Sequence, residues 1–233
     1  MRNRPIPHLS QAQKDMVRAL VLYEDEFLLA FDKPSGLAVQ TRGNRGTSLD
    51  FLLWAFARSN GKRPHLVHRI DAGTSGLVLA AKTKPAMTFL SAEFAERRVN
   101  KRYLALVMGA VPESERGLCD APLLKTGRSV VPAKPGEGGD QAVTHWQVLS
   151  RHGECALIQA EPHTGRMHQI RAHLAHLGCP ILGDTIYGVG AQTAERLMLH
   201  AVGLEIRLPN QEKRALEAPV PKDFIAKRDA LGL

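Results

Sequence analysis

Short apolar segments that end at Gly, Pro or charged residues are the feature that most constrains the fold of this chain. Such segments occupy residues 21–31, 77–83, 101–109 and 155–162, and their lengths are typical of strands. Helical spacing of apolar residues appears between some of them but not between all. Because this order lacks the steady strand–helix alternation of a parallel sheet, we predict an α+β fold with a mainly antiparallel sheet.

The remaining elements follow from capping residues and turns. We predict helices from Thr47 or Ser48 to Asn60-Gly61, from Lys84-Pro85 to Arg97-Arg98, and over 164–178, with further strands at 65–71, 181–184 and 197–209. Pro, Gly and charged residues recur through 112–141, and the flanking segments on both sides look like parts of one sheet. We therefore interpret 112–141 as a hairpin or flap within one domain.

The charge of the chain favours a polyanionic partner. Lys and Arg number 31 against 23 Asp and Glu, a formal net charge of +8. Phosphates attract such a surface, although a basic surface that only aids solubility is the alternative. Aromatic residues make up 5% of the chain, which argues against a row of base-stacking platforms. Contacts with nucleic acid are therefore expected to read phosphates and shape.

Cellular location is indicated by what the sequence lacks. Its uncharged runs are far shorter than the roughly 20 residues that span a bilayer, and the basic N-terminus has no apolar signal region. Cys119, Cys155 and Cys179 have the spacing of neither a disulfide framework nor a metal knuckle. We predict a cytoplasmic protein without a membrane partner.

The first candidate site is the segment His68–Gly76, which reads HRIDAGTSG. Val67 and Ile70 are apolar, so Asp71 leaves a buried strand and enters a loop of small residues. A carboxylate in such a place is well positioned to act on a substrate. The structural alternative is a turn, which Asp-x-Gly favours because the carboxylate hydrogen-bonds its own backbone. The spacing alone leaves both interpretations open.

The second candidate is Arg171, which we expect at the edge of the buried face of its helix. At ~100° per residue, Ile170, Leu174 and Leu177 form one stripe and Arg171 flanks it. A buried guanidinium needs a carboxylate partner, for which Asp71 is a candidate. The alternative is a side chain that reaches water across the core edge.

Four histidines between His163 and His176 invite a metal-site interpretation, which their spacing does not favour. There is no H-E-x-x-H arrangement and no cysteine pair, so only His173 and His176 could share an ion on one helix face. We predict no metal site. A basic face for phosphate, with histidines that are partly neutral at pH 7, fits the pattern better.

The third candidate is Tyr103, which follows the basic run 97–102 in a predicted strand. It could offer a flat face to a nucleobase and a phenol for proton transfer, while core packing is the alternative. The motifs G-x-x-x-x-G-K-[ST], G-x-G-x-x-G and G-x-S-x-G do not occur, so triphosphate, dinucleotide and serine-hydrolase functions have no motif support.

Four segments together resemble, in the same order, the motifs of the RluA-type family of RNA pseudouridine synthases. They read FDKPSGLAV, HLVHRIDAGTSGLVLAAKT, KRYLALVMG and HTGRMHQIRAHLAHLGCPILGDTIYG, and the match runs from about Val21 to Phe224. The resemblance implies a single catalytic domain on a bent, mainly antiparallel mixed sheet flanked by helices, with the active site in a central cleft. It also implies an isomerase that converts uridine to pseudouridine in RNA without a metal or an organic cofactor.

The resemblance assigns roles to the three candidates. Asp71 is similar to the essential aspartate of the family, which either attacks C1′ or removes a proton at C2′. Tyr103 is similar to the tyrosine that stacks on the target base and can take the C5 proton. Arg171 is similar to the basic residue that pairs with the aspartate, in agreement with the helix-face argument.

Basic residues around these motifs are the expected RNA contacts. Arg69 is similar to the residue that fills the gap left by a flipped-out uridine. The full set consists of Arg69, His68, Lys101, Arg102, Arg166 and His168. Two positions depart from the usual motif, with Ile70 in place of Leu and Met167 where a small hydroxyl residue is common. The first swap nearly conserves volume, so it should move Asp71 little.

We expect a basic extension over 1–20 and the catalytic domain over 21–233, with 112–141 as a flap that closes on RNA. No separate N-terminal RNA-binding domain is expected, so the catalytic domain would itself recognise a stem-loop in tRNA or ribosomal RNA. We expect a monomer. A non-catalytic RNA-binding protein on the same fold is the alternative, against which Asp71, Tyr103 and Arg171 occur together.

Overall fold

The computed structural model describes residues 7–41, 47–134, 136–188, 190 and 193–233. Along the chain the helices and strands are α1 (Gln11–Ala19), β1 (Val21–Glu24), β2 (Leu28–Lys33), α2 (Leu49–Leu52) with a 3-10 turn (Leu53–Phe56), β3 (His65–Leu66), β4 (Ser75–Ala81), α3 (Lys84–Ala95), β5 (Asn100–Met108), β6 (Arg116–Cys119), β7 (Leu123–Thr126), β8 (Ser129–Pro132), β9 (Thr144–His152), β10 (Cys155–Pro162), α4 (Gln169–His176), β11 (Leu199–Arg207), β12 (Lys213–Glu217) and α5 (Lys222–Ala230).

These elements divide between two compact units. The first unit contains the described residues up to Val99 together with Leu204–Ala218, and the second contains those of Asn100–Gly203 and Pro219–Leu233. Strand β11 therefore belongs to the second unit by its first residues and to the first unit by its last.

In the first unit β2 lies between β1 and β4, and all these pairings are antiparallel. Strand β3 pairs with β4 as well, and all seven residues of β4 are buried. A strand whose two faces are both covered reads as a continuous apolar run, as SGLVLAA does. Leu79 of β4 and Leu90 of α3 belong to one core cluster that also includes Ile206.

The second unit is built on four antiparallel strands in the order β5, β10, β9 and β6. Its core includes Leu106, Ile158, Leu174 and Phe224, none more than 1% exposed. Strands β7 and β8 form a separate two-stranded hairpin. The predicted α+β fold with mainly antiparallel pairing is confirmed, whereas one catalytic domain over 21–233 stays a prediction.

Two predicted elements near the start of the chain are wrong in detail. Residues 21–31 form two strands rather than one, because the Asp25 carboxylate accepts the N–H groups of Phe27 (2.7 Å) and Leu28 (2.8 Å) and turns the chain. The helix capped by Ser48 ends at Leu52 and continues only as a 3-10 turn. Residues up to 20, expected as an extension, include helix α1, whose Val17 is buried.

Two later predictions also need correction. The segment 181–184 is not a strand, since only Ile181 bridges to Val107 before the chain turns at Gly183. Helix α4 begins at Gln169, several residues later than the predicted start at 164. The segment 112–141 contains β6 and the β7–β8 hairpin, and its closure over RNA stays a prediction. Within the described ranges, no helix has the length and apolar character needed to cross a membrane.

Candidate active site

Asp71 lies in the first unit, in the loop between β3 and β4, where it is half-buried. Val67 and Ile70 just before it are buried, and Thr74 just after it is 2% exposed. The Asp71 carbonyl accepts the Thr74 N–H at 3.1 Å, so the expected turn exists. The turn is closed by the backbone, so the turn and the catalytic interpretations of Asp71 are compatible.

The Asp71 loop is anchored by the turn that follows β2. Lys33, which has no exposed surface, donates from Nζ to the carbonyl oxygens of Pro34 (2.8 Å) and Ala72 (3.0 Å). The Gly36 N–H also donates to the Ala72 carbonyl, at 2.8 Å. Ser35 donates from its hydroxyl to the Gly73 carbonyl at 2.7 Å. Three neighbouring residues therefore hold the two residues that follow Asp71.

His68 and Arg69 precede Asp71 and are placed differently. His68 accepts the Leu79 N–H at Nε2 (3.0 Å) and stacks on the Phe94 ring with centroids 4.4 Å apart. This ring nitrogen therefore has a structural role already. Arg69 is exposed. RNA contacts by both residues stay predictions.

Tyr103 lies in the second unit, on β5, opposite Ala160 of β10, and it is half-buried against the core of that unit. Because side chains alternate along a strand, Lys101 shares its face and Arg102 points to the other. Lys101 donates from Nζ to the Thr164 carbonyl at 3.2 Å. The two basic residues before Tyr103 are thus directed to opposite faces of the sheet.

Arg171 is 7% exposed on α4, as expected for the flank of the buried stripe. Its Nε and Nη2 donate to the two carboxylate oxygens of Asp184, each at 2.8 Å. The sequence did not single out Asp184 as a partner. Pairing of Arg171 with Asp71 stays a prediction, and it involves residues of two different units.

Asp184 is held as a carboxylate by several donors. Its burial raises the pKa, but the Arg171 guanidinium and the N–H groups of Ile186 and Tyr187 lower it further than burial raises it. Those two amides donate to Oδ1 at 2.9 and 3.1 Å. Gly183 precedes it with φ of +73°, and a Cβ there would meet the Arg196 carbonyl oxygen at 1.9 Å. Only glycine fits the approach to Asp184.

Residues 163–168 form a loop rather than the first turn of the helix, and the Gln169 side chain holds this loop in place. Its side-chain oxygen accepts the Arg166 N–H (3.0 Å) and the Thr164 hydroxyl (2.6 Å). Its side-chain nitrogen donates to the Val143 carbonyl and to the Thr144 hydroxyl, both at 2.9 Å. These bonds fix the start of α4 at Gln169.

Arg166 and His168 extend from this loop. Arg166 donates from Nε to the Gln141 carbonyl at 3.0 Å and lies 3.7 Å from the Asp140 carboxylate. His168 adopts a left-handed backbone conformation, with φ of 50°, and its Nδ1 lies 3.1 Å from the Tyr187 hydroxyl. Both side chains have protein partners, and their predicted RNA contacts remain predictions.

His173 is fully buried and has a protein partner at each ring nitrogen. Nδ1 lies 2.9 Å from the Thr144 hydroxyl and Nε2 lies 3.0 Å from the Ala121 carbonyl oxygen. Because a carbonyl can only accept, Nε2 carries the proton and Nδ1 accepts from Thr144. The described part of the chain holds no group of three His, Cys, Asp or Glu side chains suited to a metal ion.

Sequence reasoning missed several residues that organise the site. Lys33 and Asp184 both stand inside the motif segments, as DKPSG and LGD, but nothing in their spacing shows what they bind. Gln169 lies in the predicted helix, but sequence reasoning assigned it no role. The signal that could have identified it is a polar residue beside the apolar stripe, near the start of a helix.

The chain matches the model of the family described as RNA pseudouridylate synthase over residues 27–176. It belongs to that family. It is 38% identical over 211 residues to an uncharacterized RNA pseudouridine synthase of Zymomonas mobilis, with 88% of this chain and 94% of that protein covered. It is 40% identical over 233 residues to ribosomal large subunit pseudouridine synthase C of Vibrio cholerae, with 94% and 71% covered.

The fold leads to the same family. The solved structure of human RNA pseudouridylate synthase domain containing 4 superposes with a TM-score of 0.78 at 28% identity, covering 95% of this chain and 97% of that one. The predicted family and the prediction of an isomerase that makes pseudouridine in RNA are confirmed.

Replacing Lys33 should loosen the Asp71 loop. In Lys33→Met the Pro34 and Ala72 carbonyls lose a charged donor, so we expect faster amide exchange at Gly36 and Thr74. We also expect kcat to fall about tenfold or more, because a loss of ~1.4 kcal/mol in transition-state stabilisation lowers the rate tenfold. Exchange is measured by NMR and kcat by pseudouridine formation. Lys62→Met, at an exposed lysine, is the matched control. Native protection of both amides in Lys33→Met would contradict the anchoring role.

The protonation of His173 should make stability depend on pH. Burial lowers the pKa of His173 below its ordinary 6.5, so the unfolded chain takes up the proton first as pH falls. Stability due to this group is therefore lost below about pH 6.5, by at most ~1.4 kcal/mol per pH unit. Urea unfolding at pH 7.5 and 5.5 should show a smaller loss in His173→Gln than in the native chain. An equal loss of stability in His173→Gln and in the native chain would refute the role of His173. His145→Gln, at an exposed histidine, is the control and should lose as much stability as the native chain.

Proposed function

We propose that this enzyme converts specific uridines in RNA stem-loops to pseudouridine with Asp71 as the essential carboxylate. The observation that carries this proposal is the placement of Asp71 in a loop whose next two residues are fixed by Lys33, Ser35 and Gly36. A catalytic group must be held in one geometry by its supporting residues, and this loop has that support.

The reaction that we propose for Asp71 needs neither a redox partner nor a co-substrate. The N1–C1′ bond of the uridine breaks, the uracil turns, and a C5–C1′ bond replaces it while the C5 proton leaves and N1 gains a proton. Asp71 would act either by attack on C1′ or by removing the C2′ proton, and a carboxylate is suited to both. Tyr103 would stack on the base and take the C5 proton.

Arg171 would stabilise the Asp71 carboxylate as an ion-pair partner. A guanidinium has five N–H donors in a planar fork, and the bonds to Asp184 use two of them. The pair with Asp184 therefore does not prevent Arg171 from serving a second carboxylate. It also fixes the plane in which the remaining donors lie.

Ribosomal RNA is the substrate that we favour over tRNA. The supporting observation is that relatives in Vibrio cholerae and Pseudomonas aeruginosa carry the name ribosomal large subunit pseudouridine synthase. Arg69, His68, Lys101, Arg102, Arg166 and His168 are the proposed RNA contacts. We propose that catalysis uses no metal and no organic cofactor.

The decisive experiment measures tritium release from RNA labelled at uridine C5, with chelator present and no cofactor added. We expect release by the native chain and none by Asp71→Asn, because the amide can neither attack C1′ nor accept a proton. Unmodified 23S ribosomal RNA and an unmodified tRNA pool serve as separate substrates, and release from the ribosomal RNA is expected.

Matched measurements distinguish an enzyme from a binding protein. Asp229→Asn, at an exposed aspartate of α5, should keep native turnover. RNA binding by Asp71→Asn should stay within a few-fold of native. Full turnover by Asp71→Asn would falsify the role of Asp71, and salt-sensitive binding of both RNAs without release by the native chain would favour the non-catalytic alternative.

We also propose that the enzyme is a cytoplasmic monomer. In the described residues the exposed large apolar side chains are single ones on different elements, such as Leu22, Leu118 and Leu149. Exposed apolar side chains that occur one to an element are normal on the surface of a monomer. Light scattering should give one species near 25.5 kDa, and a mass twice that value at micromolar concentration would exclude a monomer.

A further inference from the structure

Tyr187 lies where three parts of the second unit meet, and the mechanism proposed above gives it no role. Its ring faces the Arg171 guanidinium, with the central carbon 5.2 Å from the ring centroid. Its hydroxyl accepts the Val130 N–H of the β7–β8 hairpin at 2.9 Å and lies 3.1 Å from His168 Nδ1. Its own N–H donates to Asp184.

The hydroxyl contact matters because the hairpin has only two strands. Val130 is directly opposite Lys125 of β7, yet its amide finds an acceptor outside the hairpin. Val130 and Leu123 are buried in a small cluster with Ala172 of α4, and Tyr187 packs against that cluster. Tyr187 therefore joins the hairpin to helix α4 both by packing and by a directional bond.

The Tyr187 ring contacts Arg171, whereas its hydroxyl contacts the hairpin. The two bonds from Arg171 to Asp184 fix the guanidinium within its plane, and an aromatic face beneath a guanidinium resists its tilting out of that plane. Because the Tyr187 N–H also holds the Asp184 carboxylate, one residue touches both members of the ion pair.

From these contacts we propose that Tyr187 is a positioning residue that couples the β7–β8 hairpin to the orientation of Arg171. The hydroxyl holds the hairpin at Val130, and the ring and backbone of Tyr187 hold the Arg171–Asp184 pair. Displacement of the hairpin thereby changes the guanidinium plane. The catalytic consequence rests on the proposed role of Arg171, whereas the coupling itself is a property of the fold.

The variant that isolates this coupling is Tyr187→Phe, which keeps the ring on Arg171 and removes only the hydroxyl. We expect the Val130 amide to exchange at least about tenfold faster, and the Arg171 Nε–H, observed by NMR and assigned through Arg171→Lys, to exchange faster as well. With RNA, kcat should fall about three- to tenfold while KM changes less than twofold, as expected when the loss of one positioning hydrogen bond weakens transition-state stabilisation without changing substrate binding.

Tyr23→Phe is the matched control, because Tyr23 donates its hydroxyl to Asp25 at 3.0 Å in the first unit. It removes one tyrosine hydroxyl bond and should leave Val130, Arg171 and kcat unchanged. Amides of β10, at 156–158, report general loosening and should keep native exchange in both variants.

Each outcome decides the proposal. Faster exchange at Val130 with an unchanged Arg171 Nε–H would overturn the coupling, as would loosening that extends to β10. A parallel response of Val130 and Arg171 supports it, and a lower kcat at constant KM extends it to catalysis. If the native chain itself releases no tritium, the proposed function fails, while the exchange measurements still decide whether the hairpin and Arg171 are coupled.

Discussion

The second unit depends on a buried ion pair between Arg171 and Asp184. Removing one member of such a pair typically costs 3–5 kcal/mol, because the other charge is left buried without a partner. The chain provides for this pair with two backbone amides on the carboxylate and an aromatic face beneath the guanidinium. Gly183 is required just before it, since any side chain there would meet the backbone at Arg196. Within the segment LGDTIY, this one interaction explains Gly183, Asp184 and Tyr187.

Helix α4 owes its position to polar contacts as much as to apolar ones. Gln169 and His173, one turn apart, both bond to the Thr144 hydroxyl, and His173 continues to the Ala121 carbonyl. Each member of this network is satisfied, so burial does not leave a donor or acceptor without a partner. The same network holds the loop before the helix, because the Gln169 side-chain oxygen accepts the Arg166 N–H.

The sequence predicted much of the fold because apolar periodicity and turn residues act locally. Strand β10 and the capped helix α3 were placed closely, and the partial burial of Arg171 followed from the helix stripe alone. What failed depended on individual polar side chains that bind backbone groups. Asp25 divides an apolar run into two strands, Gln169 shortens a helix, and Lys33 anchors a loop 39 residues away. Neither periodicity nor spacing contains such contacts, so the partner of Arg171 was not predicted.

The same contacts change how the net charge of +8 should be understood. Lys33 is wholly buried on backbone carbonyls, and Lys101 and Arg166 each donate to a carbonyl of their own unit. Arg98 and Arg207 bind the buried Glu93 carboxylate. A cation that is held in this way keeps its charge, but its donors are directed to the protein, and moving them to a phosphate requires breaking those bonds. Formal charge therefore overstates the number of side chains ready to bind RNA, and we expect an exposed residue such as Arg69 to contribute more to an RNA-binding surface than the buried Lys33.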